Sequence, residues 1–120
     1  MRRLLLTLVV CAFLAGCYHD AGFISVRRDV IDVGRVAVGD SAHATFRFRN
    51  SASERVSVTF MPECDCTAVS ADSLMLGPHE SVKLEVKVAV DTPGEFVKYV
   101  FVQAPGGSDF FTIAVKGTGK

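Results

Sequence analysis

Apolar and polar side chains alternate along much of this chain. In "HATFRFRN", Ala44, Phe46 and Phe48 share one side, and Thr45, Arg47 and Arg49 share the other. In a β-strand successive side chains point to opposite faces, so this pattern predicts a half-buried strand. "RVSVTF" repeats it with Val56, Val58 and Phe60. In "SVKLEVKVAV", Val82, Leu84, Val86 and Val88 alternate with Lys83, Glu85 and Lys87. Near the end Phe111, Ile113 and Val115 alternate with Thr112, Ala114 and Lys116. "FVKYVFV" (96–102) is different: apolar on both faces, it predicts a strand covered on both sides or one lying under a loop. "FISVRRDVIDVGRV" holds the first strands of the domain, with Gly34 marking a bend or a change of strand. No stretch after residue 17 has a helical period.

Turn-forming stretches separate these runs: "RNSASE", "LGPHES", "DTPGE" and "APGGSD". About seven strands at a spacing of ~8–12 residues predict an all-β fold, an immunoglobulin-like antiparallel β-sandwich of about seven strands. The chain has no tryptophan, and no widely spaced cysteine pair after residue 17. A domain stapled by a disulfide between its sheets is therefore excluded.

The N-terminus, "MRRLLLTLVVCAFLAGC", has a basic start at Arg2 and Arg3 and an apolar run from Leu4 to Ala15. A bilayer core of ~30 Å needs about 20 apolar residues, so this run reads as a cleaved leader and not as a membrane span. Its ending, "LAGC", is similar to the lipobox of bacterial lipoproteins. That resemblance implies that Cys17 receives lipid and becomes the first residue of the mature chain, with Cys11 discarded. It divides the chain into a signal peptide (1–16), a lipidated tether "CYHDAG" (17–22) and one sandwich domain (23–120). A lipoprotein cysteine carries several acyl chains, and two or more hold a protein firmly where one does not. Tyr18, not Asp, follows Cys17; by analogy with sorting rules this favours the outer membrane, with the domain facing the periplasm.

The whole chain has 13 Lys and Arg and 13 Asp and Glu, with 49% hydrophobic residues. Loss of Arg2 and Arg3 with the leader leaves the mature chain slightly acidic. Such a balance excludes the electrostatic footprint of a nucleic-acid binder. No Gly-x-Ser-x-Gly, His-Glu-x-x-His or phosphate-cradling glycine loop is present, so no enzyme class and no small-molecule substrate is indicated. Arg27 and Arg28 read as a solvated edge, able to meet anionic head groups near the tether. Phe96, Phe110 and Phe111 read as core or edge-covering aromatics, and an exposed one would mark a partner site.

Candidate chemistry is confined to "FMPECDCTAV". Cys64 and Cys66 admit three readings. A disulfide closing so small a loop contributes only ~1.6 kcal/mol on the loop-entropy estimate. In an extended strand the two Cα atoms would stand ~6.5–7 Å apart, at the upper edge of disulfide geometry, which a turn at Asp65 would relieve. The second reading is a soft metal ion: two thiolates on one face could hold Cu(I), with Met61 as a third sulfur. A closed zinc site is disfavoured, because His19 is in the tether, His43 points outward from its strand, and His79 falls at the end opposite the cysteines if the segment "SADSLML" runs back across the sandwich. The third reading is packing by two small polarizable side chains at a strand end, and this structural reading ranks first.

The order "VIDVGRVAVGDSAHATFRFRNSASERVSV", "CDCTAV", "LMLGPHESVKLEVKV" and "TPGEF" resembles a bacterial family, the domain of unknown function fifteen seventy-three of envelope lipoproteins. That family is similar to hydin-like and PapD-like immunoglobulin sandwiches. Its marks are matched by Ile31 to Gly34, by Gly39, by Phe46, Phe48 and Asn50, and by Cys64, Cys66 and Thr67. The chain departs from it at Asp65, where glycine is usual, and at "GPHES", where Pro-Gly-Glu-Ser is usual. The resemblance implies a fold and no assigned activity. The expectation is a non-enzymatic, membrane-anchored envelope lipoprotein that binds an unknown envelope protein or serves as a structural module. The alternative is a periplasmic copper-binding or thiol-redox protein acting through Cys64 and Cys66.

Overall fold

The computed structural model describes residues 23–104 and 110–120. The leader, the tether with Cys17, and most of the "APGGSD" turn lie outside the described residues. The described chain forms β1 (Ile24–Val26), β2 (Val30–Val36), β3 (Ser41–Asn50), β4 (Val56–Pro62), β5 (Thr67–Val69), β6 (Ser73–Leu76), β7 (Ser81–Ala89), β8 (Gly94–Gln103) and β9 (Phe110–Gly119). They build a four-stranded sheet, β1-β3-β7-β5, and a five-stranded sheet, β2-β9-β8-β4-β6.

There are thus nine strands where the spacing predicted about seven. The additional ones are short, β5 having 3 residues and β6 having 4, too few for an alternation to show. The sandwich is also not wholly antiparallel, because β2 runs parallel to β9 while every other pair is antiparallel. β1 and β2 belong to different sheets, so the N-terminal stretch changes sheet at Arg27–Asp29, before Gly34. Gly34 marks the bend: it sits at φ 75°, where β2 shifts register, and its N–H donates to Asp32 Oδ1 at 2.8 Å.

The alternating residues meet between the sheets as the pattern requires. Phe46, Phe48, Leu84, Val86 and Val88 face Val58, Phe60, Val100, Val102, Ile113 and Val115 across one buried core. Phe48 is its aromatic centre, with ring centroids 5.2 Å from Phe60 and 6.4 Å from Phe111. Each such side chain removed from water contributes ~1.5–3 kcal/mol, so apolar burial holds the two layers together.

The sandwich has two distinct poles. At the first, Ser51 N–H donates to the Phe23 carbonyl and Asn50 N–H to that of Glu80, each at 2.9 Å. Buried Asn50 also donates through Nδ2 to the carbonyls of Glu54 (2.7 Å), Leu76 (3.2 Å) and Gly77 (3.0 Å), and its Oδ1 accepts from Ala52 N–H. One amide therefore ties the β3–β4 turn to the β6–β7 turn. At the second pole lie the β4–β5 crossing, the β7–β8 turn and the C-terminus, where Ala89 N–H donates to Cys66 O at 2.8 Å and Lys120 N–H to Val36 O at 3.0 Å.

Candidate functional site

β4 ends at Pro62, and the chain then crosses from the five-stranded sheet to β5 of the other sheet within residues 63–66. Glu63 N–H donates to Tyr99 O at 3.1 Å, and Thr67 N–H closes a turn on Cys64 O at 3.2 Å. This turn at Asp65 brings the Cα atoms of Cys64 and Cys66 to 5.3 Å, and the two are joined as a disulfide. The buried Thr67 hydroxyl lies 3.7 Å from each sulfur. Asp65 has no positive φ, so the turn does not require the glycine usual at its place.

The thiolate is the form that binds a metal, and a disulfide offers none. Met61, the expected third sulfur, pairs with Phe101 on the outer face of the five-stranded sheet and lines a hollow whose other walls are Thr59, Phe101, Gln103 and Phe110. Neither cysteine lines it. His79 lies at the first pole, in the turn whose Gly77 and Glu80 carbonyls Asn50 bonds, and the cysteines lie at the second. His43 is exposed on the outer face of β3. Among the described residues no group of three or more His, Cys, Asp or Glu side chains could hold a metal ion. The lipidation residue Cys17 lies outside the described residues.

The outer faces of the two sheets differ in character. On the four-stranded sheet the outward residues of the central strands are His43, Thr45, Arg47 and Arg49 on β3, and Lys83, Glu85 and Lys87 on β7. On the five-stranded sheet Val97 (44% exposed), Tyr99 (40%) and Phe101 (36%) run down β8, flanked by Met61 (60%) and Phe110 (61%). The Phe101 and Phe110 rings meet edge to face at 6.1 Å. Val30, Ala114 and Tyr99 align across β2, β9 and β8, which widens the apolar area sideways.

The two-sided apolar run "FVKYVFV" predicts a strand covered on both sides or one lying under a loop. Val100 and Val102 face the core, but Val97, Tyr99 and Phe101 face outward and stay exposed. Of the three phenylalanines read as core or edge-covering, Phe96 and Phe111 pack against the core, whereas Phe110 is exposed. The signal in the sequence was the apolar second face itself, which no strand among the described residues covers.

A family profile described as protein of unknown function (DUF1573) matches residues 24–118. No curated protein matches the chain. Among solved structures it is similar to the PapD-like domain 7 of human CEP192, with a TM-score of 0.73 at 11% identity over 87% of this chain and 89% of that one. It is similar to a protein of unknown function from Porphyromonas gingivalis W83, with a TM-score of 0.68 at 14% identity over 82% of this chain and 48% of that one. The E. coli chaperone DraB is a third, with a TM-score of 0.61 at 11% identity over 80% of this chain and 54% of that one. At such identities the likeness is one of fold: an immunoglobulin-like sandwich of PapD-like type.

Proposed function

The chain belongs to the DUF1573 family, and from that premise we propose that it is a non-enzymatic lipoprotein of the cell envelope. Its tether is the lipid on Cys17, its sandwich faces the periplasm from the outer membrane, and it acts by binding another envelope protein. The observation that carries the binding role is the outward apolar face of the five-stranded sheet. Met61, Tyr99, Phe101 and Phe110 are exposed side by side there, and aromatic residues and methionine are the types enriched in protein interfaces. Contiguous apolar patches on small domains mark interaction sites, whereas scattered ones need no explanation.

Two measurements test this in the full chain expressed in a bacterial envelope. Radiolabelled palmitate should be incorporated by the parent and not by Cys17→Ser, which should also leave the membrane fraction. A photo-crosslinking residue at Phe101 should give a discrete protein adduct, absent when the same residue replaces Lys87 on the other sheet. Equal adducts at both positions, or none at either, would remove the binding role, and palmitate-independent membrane retention would remove the anchor.

A further inference from the structure

A second surface stands apart from the apolar face and rests on its own observations. β1 pairs with only Phe48 to Asn50 of β3, after which Arg27 N–H adds one bond to Arg47 O at 3.2 Å. The chain then leaves for the other sheet. From Ser41 to Phe46, no described strand pairs with that side of β3. Which backbone groups face the open side follows from the antiparallel ladder, in which alternate residues bond to alternate neighbours. Asn50 N–H donates to Glu80, and Asp40 O accepts from Val90 N–H, so the even residues bond toward β7. The odd residues His43 and Thr45 therefore turn their N–H and C=O toward the open edge.

Beside that edge lies a hollow of about 530 Å³, floored by Ile31 and Phe46 and rimmed by Arg27, Arg28, Arg47 and Lys83. Arg47 and Lys83 are direct cross-strand partners. Like charges placed opposite each other destabilise a sheet, and an anion between them reverses the sign. Glu85 is the one acidic residue on β3 and β7. Positive charge is thus concentrated here in a chain whose formal net charge is zero.

We propose that this open edge of β3 receives an extended acidic segment of a partner protein, added as a strand beside His43 and Thr45. Main-chain bonds to those residues supply affinity, as in other cases of strand addition, and side-chain alternation supplies specificity. The segment's inward side chains are apolar and cover half-buried Ile31, above Phe46, which the core already buries. Its outward side chains are Asp or Glu and meet the rim cations. A lipid head group would satisfy the cations alone. The recessed apolar floor and the backbone donors at the edge are what favour a polypeptide.

The test measures fluorescence anisotropy of short labelled peptides against the full chain in neutral detergent micelles. A peptide alternating valine and glutamate should bind, and its lysine counterpart should not. Reversing the rim with Arg47→Glu and Lys83→Glu should weaken binding by about tenfold or more, as expected for loss of charge-assisted bonds. Thr45→Pro removes an edge donor while leaving every β3–β7 bond in place, and should weaken binding similarly with the charges unchanged. A peptide N-methylated on its bonding edge applies the same test without touching the protein. Binding that survives both Thr45→Pro and N-methylation overturns the proposal, as does no binding of the glutamate peptide. Displacement of the peptide by phosphatidylglycerol in the micelles, with both ligands indifferent to Thr45→Pro, assigns the hollow to head groups and also overturns it. None of these outcomes bears on adducts formed at Phe101, so this proposal and the proposed function fail separately.

Discussion

His79 holds the left-handed backbone angle, φ 59°, at the third position of the turn from Gly77 to Glu80. Glu80 N–H closes that turn on Gly77 O at 3.1 Å, and the Glu80 carboxylate accepts from Gly77 N–H at 2.8 Å. Proline then glycine at the two central positions is the usual solution for such a turn, because only glycine takes positive φ without a Cβ clash. Here Pro78 is kept and histidine stands in the glycine position. The left-handed cost for a side chain is ~1–2 kcal/mol, part of which glycine returns as greater freedom in the unfolded chain. His79→Gly should therefore stabilise the domain by about 0.5–1 kcal/mol, read as a rise in the urea midpoint at unchanged slope. A fall in the midpoint would show that the imidazole makes a compensating contact. The departure from the family pattern was visible in "GPHES", but its backbone meaning was not, since the sequence does not state φ. Asn50 is similar: its local bonds follow from its place at a strand end, whereas its hold on Leu76 and Gly77 depends on β6 running back beside β4.

Alternation made the long strands legible. β3, β4, β7 and β9 carry their inward residues where the period of two puts them, because one face is buried and the other wet. β5 and β6 escaped notice because segments so short complete barely one cycle of the pattern. The outer face of β8 is not legible for another reason: a two-sided apolar strand looks the same in sequence whether its second face is covered or exposed. The parallel pairing of β2 with β9 also lies beyond pattern, being set by where the first strand changes sheet. That pairing has a packing signature. A Cβ on Gly117 would meet Gly34 O, a Phe96 ring carbon and Val33 Cγ2, each at 2.8 Å. Two of the three atoms belong to β2, so the glycine lets β2 and its Gly34 bend lie close against β9. Overpacking a site of this kind costs ~1–3 kcal/mol. Gly117→Ala should lower stability by that amount in urea unfolding and should raise amide hydrogen exchange in β2 more than in β3 or β7. An alanine variant as stable as the parent, with β2 protection intact, would mean that the two strands have slack between them.

The whole molecule has a direction. The chain enters at the first pole, where Phe23 and Ser51 are bonded, and the disulfide turn lies at the second. β3 runs from one pole to the other with 10 residues, a rise of ~30 Å at ~3.4 Å per residue. The tether, residues 17–22, can reach at most ~20 Å when fully extended, at ~3.3–3.6 Å per residue. Under the proposed attachment through Cys17, the domain should therefore stand with the Phe23 pole toward the lipid and the disulfide pole away from it. That posture leaves both the apolar face of the five-stranded sheet and the open edge of β3 accessible from the side. Depth-dependent quenching measures it directly. A fluorophore on Phe23→Cys should be strongly quenched by nitroxide-labelled head groups in vesicles holding the lipidated chain. One on Thr92→Cys, at the far pole, should be quenched no more than in nitroxide-free vesicles. Equal quenching at the two sites would lay the sandwich flat on the bilayer, cover one of its two faces, and remove the geometric basis for placing a partner on that face.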